Sequence, residues 1–351
     1  MKILYAAQLS PNDSAQYRAW ALERLGHTVA PLDSRQYQPR AELLRKLMHR
    51  AQMGPWVMRL NRDLLAQAEK ERPDIFWADK LLGLWPKTLD RLRAMGIQTV
   101  GYMIDNAFGP RRDPGWRLYK RCIPHFDLHV VQRDSNLADY RRQGARDVLK
   151  IQTAYEPTIH FPVDGHKSVV WSDADRNRGV SFIGTAYDDR SEFLARLWRE
   201  RGFPVVISGD GMWRERLDKE AAERLYTGSE LYGREYREAI WRSKINLSFL
   251  THSNQDEFAH KSFEIAACGG FLLAERSEGH RARFVEDEEA VFFSGFEECA
   301  EKIRRYLPDQ KARERIARAG RERAVRSGYS NDAQVEKILA RLEVLRSTAG
   351  A

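Results

Sequence analysis

Apolar residues along this 351-residue chain fall into two alternating rhythms. Short apolar runs predict strands, and longer stretches with a period near 3.6 predict helices. KILYAAQ at 2–8 reads as a strand, 14–25 as a helix stopped by Gly26, and HTVAPLD at 27–33 as a second strand. PDIFWAD at 73–79, a helix ending at Gly96, IQTVGYMID at 97–105 and DLHVVQ at 127–132 continue the series. Strand and helix in turn is the order of a doubly wound parallel sheet. Ligands of such sheets bind beyond the strands' carboxyl ends, so Gln8, Asp79, Asp105 and Gln132 are expected along one edge.

The rhythm restarts after a polar, Pro-containing stretch at 156–179, EPTIHFPVDGHKSVVWSDADRNRG, which reads as a linker. VSFIG at 180–184, FPVVISG at 203–209, KINLSF at 244–249, FLLAE at 271–275 and AVFF at 290–293 are the expected strands, with a helix over 189–201. Beyond AVFF the chain is helical, with a break at Tyr329 and Ser330. The length suits two domains, each with its own core, and the expected division is 1–165 and 166–330.

Within this frame DEFAHKSFEIAACGGFLLAE, at 256–275, stands apart. Phe263, Ile265, Ala266 and Ala267 give its short helix a packing side, and Gly269 and Gly270 suit the helix exit. Glu264 lies among these apolar residues, where a carboxylate is costly unless its charge or hydrogen bonds are met. Lys261 and His260 fall three and four residues earlier, near the same helix face. A surface ion pair explains Lys261 but explains Glu264 poorly. Gly184 and Thr185 end the first strand of the second half ahead of a helix carrying Arg190, and such a turn presents backbone N–H groups to an anion. Arg190 is either a forked donor to that anion or a surface arginine. Asp105, in MIDN, is either a base for an approaching hydroxyl or half of a turn-forming Asp-Asn pair. His125 and His129 have metal-site spacing, but strand alternation separates their faces, so no metal is expected there.

Composition narrows the classes. Hydrophobic residues make up 42% and charged residues 31%, as in a soluble globular protein, and no apolar run approaches a membrane span. Cysteines 122, 268 and 299 are scattered, which argues against a disulfide framework, and MKILYAAQ is too brief for a signal peptide, so a cytoplasmic setting is expected. Lys and Arg exceed Asp and Glu by 58 to 50, favouring anionic partners. The stretch 40–62 carries Arg40, Arg45, Lys46, Arg50, Arg59 and Arg62 around Leu43, Leu44, Leu47, Met48 and Ala51. It reads either as a solvated helix packed on a sheet or as a peripheral contact with an anionic membrane. Basic residues are not interleaved with aromatic ones, and no nucleic-acid-binding motif occurs. The first strand runs into QLSPNDSAQ, without the GxGxxG of nicotinamide enzymes.

Asp256 and Glu264 are separated by seven residues, and this spacing resembles the Glu-x7-Glu signature of retaining GT-B glycosyltransferases. IGTAYDDR at 183–190, NLSF before the motif and RAGRERAVRSGYSNDAQVEKIL in the tail extend the resemblance to the group 1 family, nearest its spore-maturation branch. The resemblance implies two Rossmann-like domains facing across a cleft, with residues 331–351 crossing back onto the first domain. It also implies a nucleotide-diphosphate-sugar donor as co-substrate, a glycan or lipid-linked acceptor, retention without a protein nucleophile, and neither metal nor cofactor. Gly184, Thr185, Arg190, His260, Lys261 and Glu264 would then bind the donor. Glu264 would take the ribose hydroxyls and Asp256 the sugar or its diphosphate, although the family usually has Glu at the position of Asp256. Asp105 would face the acceptor. A nucleotide-sugar epimerase of the same architecture is the competing enzyme, and a basic nucleic-acid-binding protein the competing non-enzyme.

Overall fold

The computed structural model of the protein describes residues 1–110, 113–163 and 173–349. The chain forms two compact units, Met1–Gln152 with Asn331–Ala351, and Thr153–Ser330. The expected division at 165/166 lies outside the described residues, and the first unit ends earlier, at Gln152.

The first unit is built on six parallel strands, β1 (Lys2–Ala7), β2 (Thr28–Asp33), β3 (Ile75–Asp79), β4 (Gln98–Tyr102), β5 (Leu128–Val131) and β6 (Val148–Lys150), in the order β2-β1-β3-β4-β5-β6. Alternate residues of β1 and β3 feed two different cores. Ile3, Tyr5, Ile75 and Trp77 pack with Val335, Ile338 and Leu342, whereas Leu4, Ala6, Phe76 and Ala78 pack with Leu60, Leu64, Leu89 and Leu92. Burial on both faces is why these strands read as continuous apolar runs. The helix Asn331–Ala349 supplies part of the first core, and Arg341 holds Asp147 at 2.6 Å and 2.9 Å from it. Strand β6, three residues long, is not visible as a pattern in the sequence.

Helices α1 (Ser14–Arg24), α2 (Glu42–Ala51) and α3 (Pro55–Glu71) follow β1 and β2. Gly54, at φ 114°, and Pro55, at the first helical position, break the basic stretch into α2 and α3. Val57, Leu60, Leu64 and Ala68 of α3 are buried, so packing against the sheet holds for α3. It fails for α2, which buries none of its residues.

The second unit has five parallel strands, β7 (Arg178–Ile183), β8 (Val205–Ser208), β9 (Ser243–Ser248), β10 (Leu272–Glu275) and β11 (Val291–Phe293), ordered β11-β10-β9-β7-β8. In each unit the second strand adds to one side of the first and the rest add to the other. The winding therefore reverses between β1 and β3 and between β7 and β9, which opens a crevice beyond the carboxyl ends at each place.

Candidate active site

Beyond the ends of β7 and β9 lies a cleft of about 310 Å³, and its walls include Gly184, Thr185, Arg190, Asp256, His260 and Lys261. Six of the eight residues singled out from the sequence are thus brought together by one reversal of winding. The close approach of two turns sets its floor. Gly184 N–H donates to the Ser208 carbonyl at 2.9 Å, and the Trp213 indole N–H donates to the Gly184 carbonyl at 2.7 Å. A Cβ at Gly209 would fall 2.1 Å from that carbonyl oxygen, and one at Gly184 would meet the Lys261 Cε and the Phe182 ring at 3.1 Å. Neither position tolerates a side chain without moving the wall.

Arg190 is only 6% exposed. Its guanidinium donates to the carbonyls of Thr185 (3.1 Å) and Leu250 (2.8 Å) and to the Thr251 hydroxyl (3.0 Å), while Nε has no hydrogen-bond partner among the described residues. It is not the surface arginine that the sequence left open. Burial lowers its pKa. Lys261 sits over the Tyr236 ring, 4.7 Å from its centroid. Burial lowers its pKa too, with the Glu264 charge opposing the shift and Arg190 adding to it. Among the described residues no carboxylate stands within ion-pair distance of either cation. Two cations therefore share one small cleft without a direct ion pair to either, while Asp210, Glu230 and Asp256 line the same walls, an arrangement that leaves both cations free to meet a phosphate.

Glu264 explains itself differently from the expectation. Its carboxylate lies in the layer beneath the cleft wall, where Oε2 accepts from the Tyr236 hydroxyl at 2.6 Å and Oε1 from His260 Nε2 at 2.9 Å. His160 Nε2 stands 3.5 Å from Oε1. Burial alone would raise the Glu264 pKa, but the neighbouring His260, His160 and Lys261 outweigh it and hold the carboxyl well below the usual carboxylate range. Oε1 faces two imidazoles, whereas Oε2 keeps a lone pair beyond its bond to Tyr236. The buried-charge puzzle is thus met largely from within the protein, by Tyr236 and His160, which the sequence did not offer. Tyr236 lies 28 residues upstream of Glu264 and His160 falls in the stretch read as linker, so no local spacing could have joined them.

Asp256 lines the cleft, with Oδ1 accepting from Asn254 Nδ2 at 2.9 Å. Gln255 precedes it in the left-handed region, at φ 53°, and the Thr251 carbonyl accepts from the Asn254 and Asp256 amides at 3.1 Å and 3.2 Å. The start of the motif helix, His260–Ala267, is tied down by His280. The Ala259 amide can only donate and does so to His280 Nε2 at 3.1 Å, while the Glu275 carbonyl can only accept and faces Nδ1 at 2.7 Å. These partners fix the neutral Nδ1–H tautomer. At His160 the Glu156 amide donates to Nδ1 at 3.0 Å, which fixes the other neutral tautomer.

Burial depresses His129, His160 and His280 to about 4 each. A histidine unfolded at about 6.5 binds a proton that its folded counterpart refuses, so stability rises with pH between about 4 and 6.5. Stability is accordingly full above about 6.5 and lost as pH falls towards 4, by roughly 3 kcal/mol for each histidine. Urea unfolding at a series of pH values should show this slope; a flat stability between pH 7 and 5 would contradict the buried neutral histidines.

In the first unit the expected edge is only partly a site. Asp79 is buried, accepts Arg18 at 2.6 Å and 2.9 Å and the Tyr5 hydroxyl at 2.6 Å, and so serves the core. Gln132 donates to the Tyr102 hydroxyl at 3.3 Å. Asp105 holds the Lys80 ammonium at 2.7 Å, and Lys80 itself adopts a left-handed φ of 47°. A hollow of about 740 Å³ at the ends of β1 and β3 is lined by Gln8, Asp13, Lys80 and residues of α2 and α3. His125 bonds Asp90 and His129 bonds the Ile123 carbonyl, so the two rings serve different partners.

Residues 190–340 match the family of glycosyl transferase-like proteins. Comparison with curated proteins returns no match. Sucrose-phosphate synthase from Thermosynechococcus elongatus superposes with a TM-score of 0.71 at 14% identity, over 99% of this chain and 100% of that one. Anabaena HepE, in complex with UDP-glucose, gives 0.65 at 13% over 97% and 100%. An α,α-trehalose-phosphate synthase from Burkholderia vietnamiensis gives 0.65 at 16% over 99% of each chain. The protein therefore has the two-sheet GT-B fold, and its residues 190–340 match the glycosyl transferase-like family.

Proposed function

We propose that the protein transfers a sugar from a nucleotide-diphosphate donor to a glycan or lipid-linked acceptor in the cytoplasm, with retention and without metal or cofactor. The observation that carries this reading is the pair of cations, Arg190 and Lys261, held in one cleft with no direct ion pair among the described residues. Departure of a nucleoside diphosphate builds negative charge on its phosphates, and positive groups already fixed there lower the barrier without reorganising. The Gly184–Thr185 turn adds its close-packed backbone at the same wall. Glu264 keeps His260 in place and offers the remaining lone pair of Oε2 to a ribose hydroxyl, and Asp256 faces the sugar end. Asp105, paired with Lys80 in the first unit, is assigned to the acceptor. HepE has been captured with UDP and with UDP-glucose, which makes uridine the first base to test. No observation favours the epimerase or the nucleic-acid-binding reading.

A thermal-shift series with nucleoside diphosphates and their sugars tests the donor side. A ligand at 100 times its Kd should stabilise the folded state by about 2.7 kcal/mol. Free nucleotide should then accumulate only when an acceptor is supplied. A donor panel that leaves Tm unmoved, or a changed sugar on an intact diphosphate, would sink the proposal.

A further inference from the structure

An amphipathic helix on a globular protein ordinarily turns its apolar stripe to the core. Helix α2 does the reverse. Leu43, Leu44 and Leu47 are 71%, 45% and 54% exposed, and Met53, just beyond the helix, is 70% exposed. Apart from the half-buried Met48, the side of α2 that meets the protein is polar. His49 binds the Asp113 carboxylate at 2.6 Å, the Gln52 side chain returns to the His49 carbonyl at 2.6 Å, and Arg117 reaches the Arg50 carbonyl at 3.4 Å. Polar ties thus hold the helix with its leucines outward, and the hydrophobic cost of that orientation is unmet within the chain.

The charge around the stripe says what covers it. Arg59 and Arg62 are met by Asp63, at 3.3 Å and 2.8 Å, but around α2 itself Arg40, Arg45, Lys46 and Arg50 face a single acid, Glu42, which pairs with Lys46 at 2.7 Å. On the α2 surface Lys46 and Arg50 flank Leu43 and Leu47 at helical spacing. A second copy of this chain seated on the same patch by two-fold symmetry would set these cations against their own kind. A surface that accepts leucines and supplies negative charge is an anionic lipid bilayer, in which such a helix lies at the headgroup boundary with its cations towards the phosphates. Among the described residues no helix is long and apolar enough to cross a membrane, so attachment would be through this face. We infer that α2 docks the protein on an anionic membrane surface, with Leu43, Leu44 and Leu47 inserted. The same helix lines the 740 Å³ hollow of the first unit through Arg45, Met48 and His49, so docking sets that hollow at the lipid surface.

Co-sedimentation with vesicles, without any donor present, tests this independently of the transferase reading. The protein should pellet with phosphatidylcholine vesicles containing phosphatidylglycerol, much less with phosphatidylcholine alone, and less as salt is raised. Exchanging Leu43, Leu44 and Leu47 for Ser should cut vesicle binding at least about tenfold and leave Tm unchanged. Absence of binding to anionic vesicles, binding indifferent to the three exchanges, or a dimer in solution that the exchanges dissolve would each overturn the inference. A large fall in Tm would do so as well, because it would mean that the leucines are packed.

Discussion

Glu264→Ala is expected to cost the second unit about 3–5 kcal/mol, the loss that follows when one partner of a buried charged cluster is removed. The carboxylate accepts from Tyr236 and His260, has His160 within 3.5 Å and offsets the charge of Lys261. Truncation leaves the Tyr236 hydroxyl and the His260 ring without their acceptor and Lys261 without its opposing charge. Equilibrium unfolding in urea measures the loss, and a variant within about 1 kcal/mol of the parent would show that the cluster does not depend on its acid. Glu264→Gln separates anchoring from ligand binding. Its amide oxygen retains one acceptor for Tyr236, so much of the stability should return, while donor-induced stabilisation should not.

Lys261→Met should show the opposite signature. Removal of a cation aimed at a developing diphosphate charge is expected to lower turnover by about 10²- to 10³-fold. Yet the ammonium makes no ion pair and its burial is already unfavourable, so the folded state should be as stable as the parent or more so. Arg190→Met should match it in activity, although Arg190 also braces the Thr185 and Leu250 carbonyls, which brings some loss of stability. Steady-state kinetics with a nucleotide sugar, read beside the melting curve of each variant, distinguishes the cases. If Lys261→Met loses stability and keeps its turnover, the lysine belongs to the framework and the charge argument is wrong.

These two expectations also show where sequence reasoning reaches and where it stops. Strands such as KILYAAQ and PDIFWAD are legible because both faces are buried, so their apolar runs are unbroken. The cleft is legible in part, because Gly184 sits at a strand end and Lys261 at a helix start, each with a distinctive local pattern, and Asp256 lies in the short loop between such elements. The partners of Glu264 are not, since Tyr236 and His160 reach it from elements whose meeting depends on the whole sheet order. The same holds for His280, which secures the motif helix across 21 residues at Ala259 and 18 at Ser262. For α2 the periodicity correctly predicted a helix, but which side faces the protein is decided by His49 and Asp113, 64 residues apart.

The return of residues 331–349 to the first sheet has a consequence for how the molecule comes to exist on the ribosome. The second unit is continuous, so it has all of its strands as soon as Ser330 is made. The first unit, though translated earlier, still lacks Val335, Ile338 and Leu342 from its core at that moment, and Asp147 lacks Arg341. Domains generally complete in order of synthesis. Here the order inverts, and the N-terminal sheet must wait, partly uncovered, for a helix whose residues are translated only after the entire second unit.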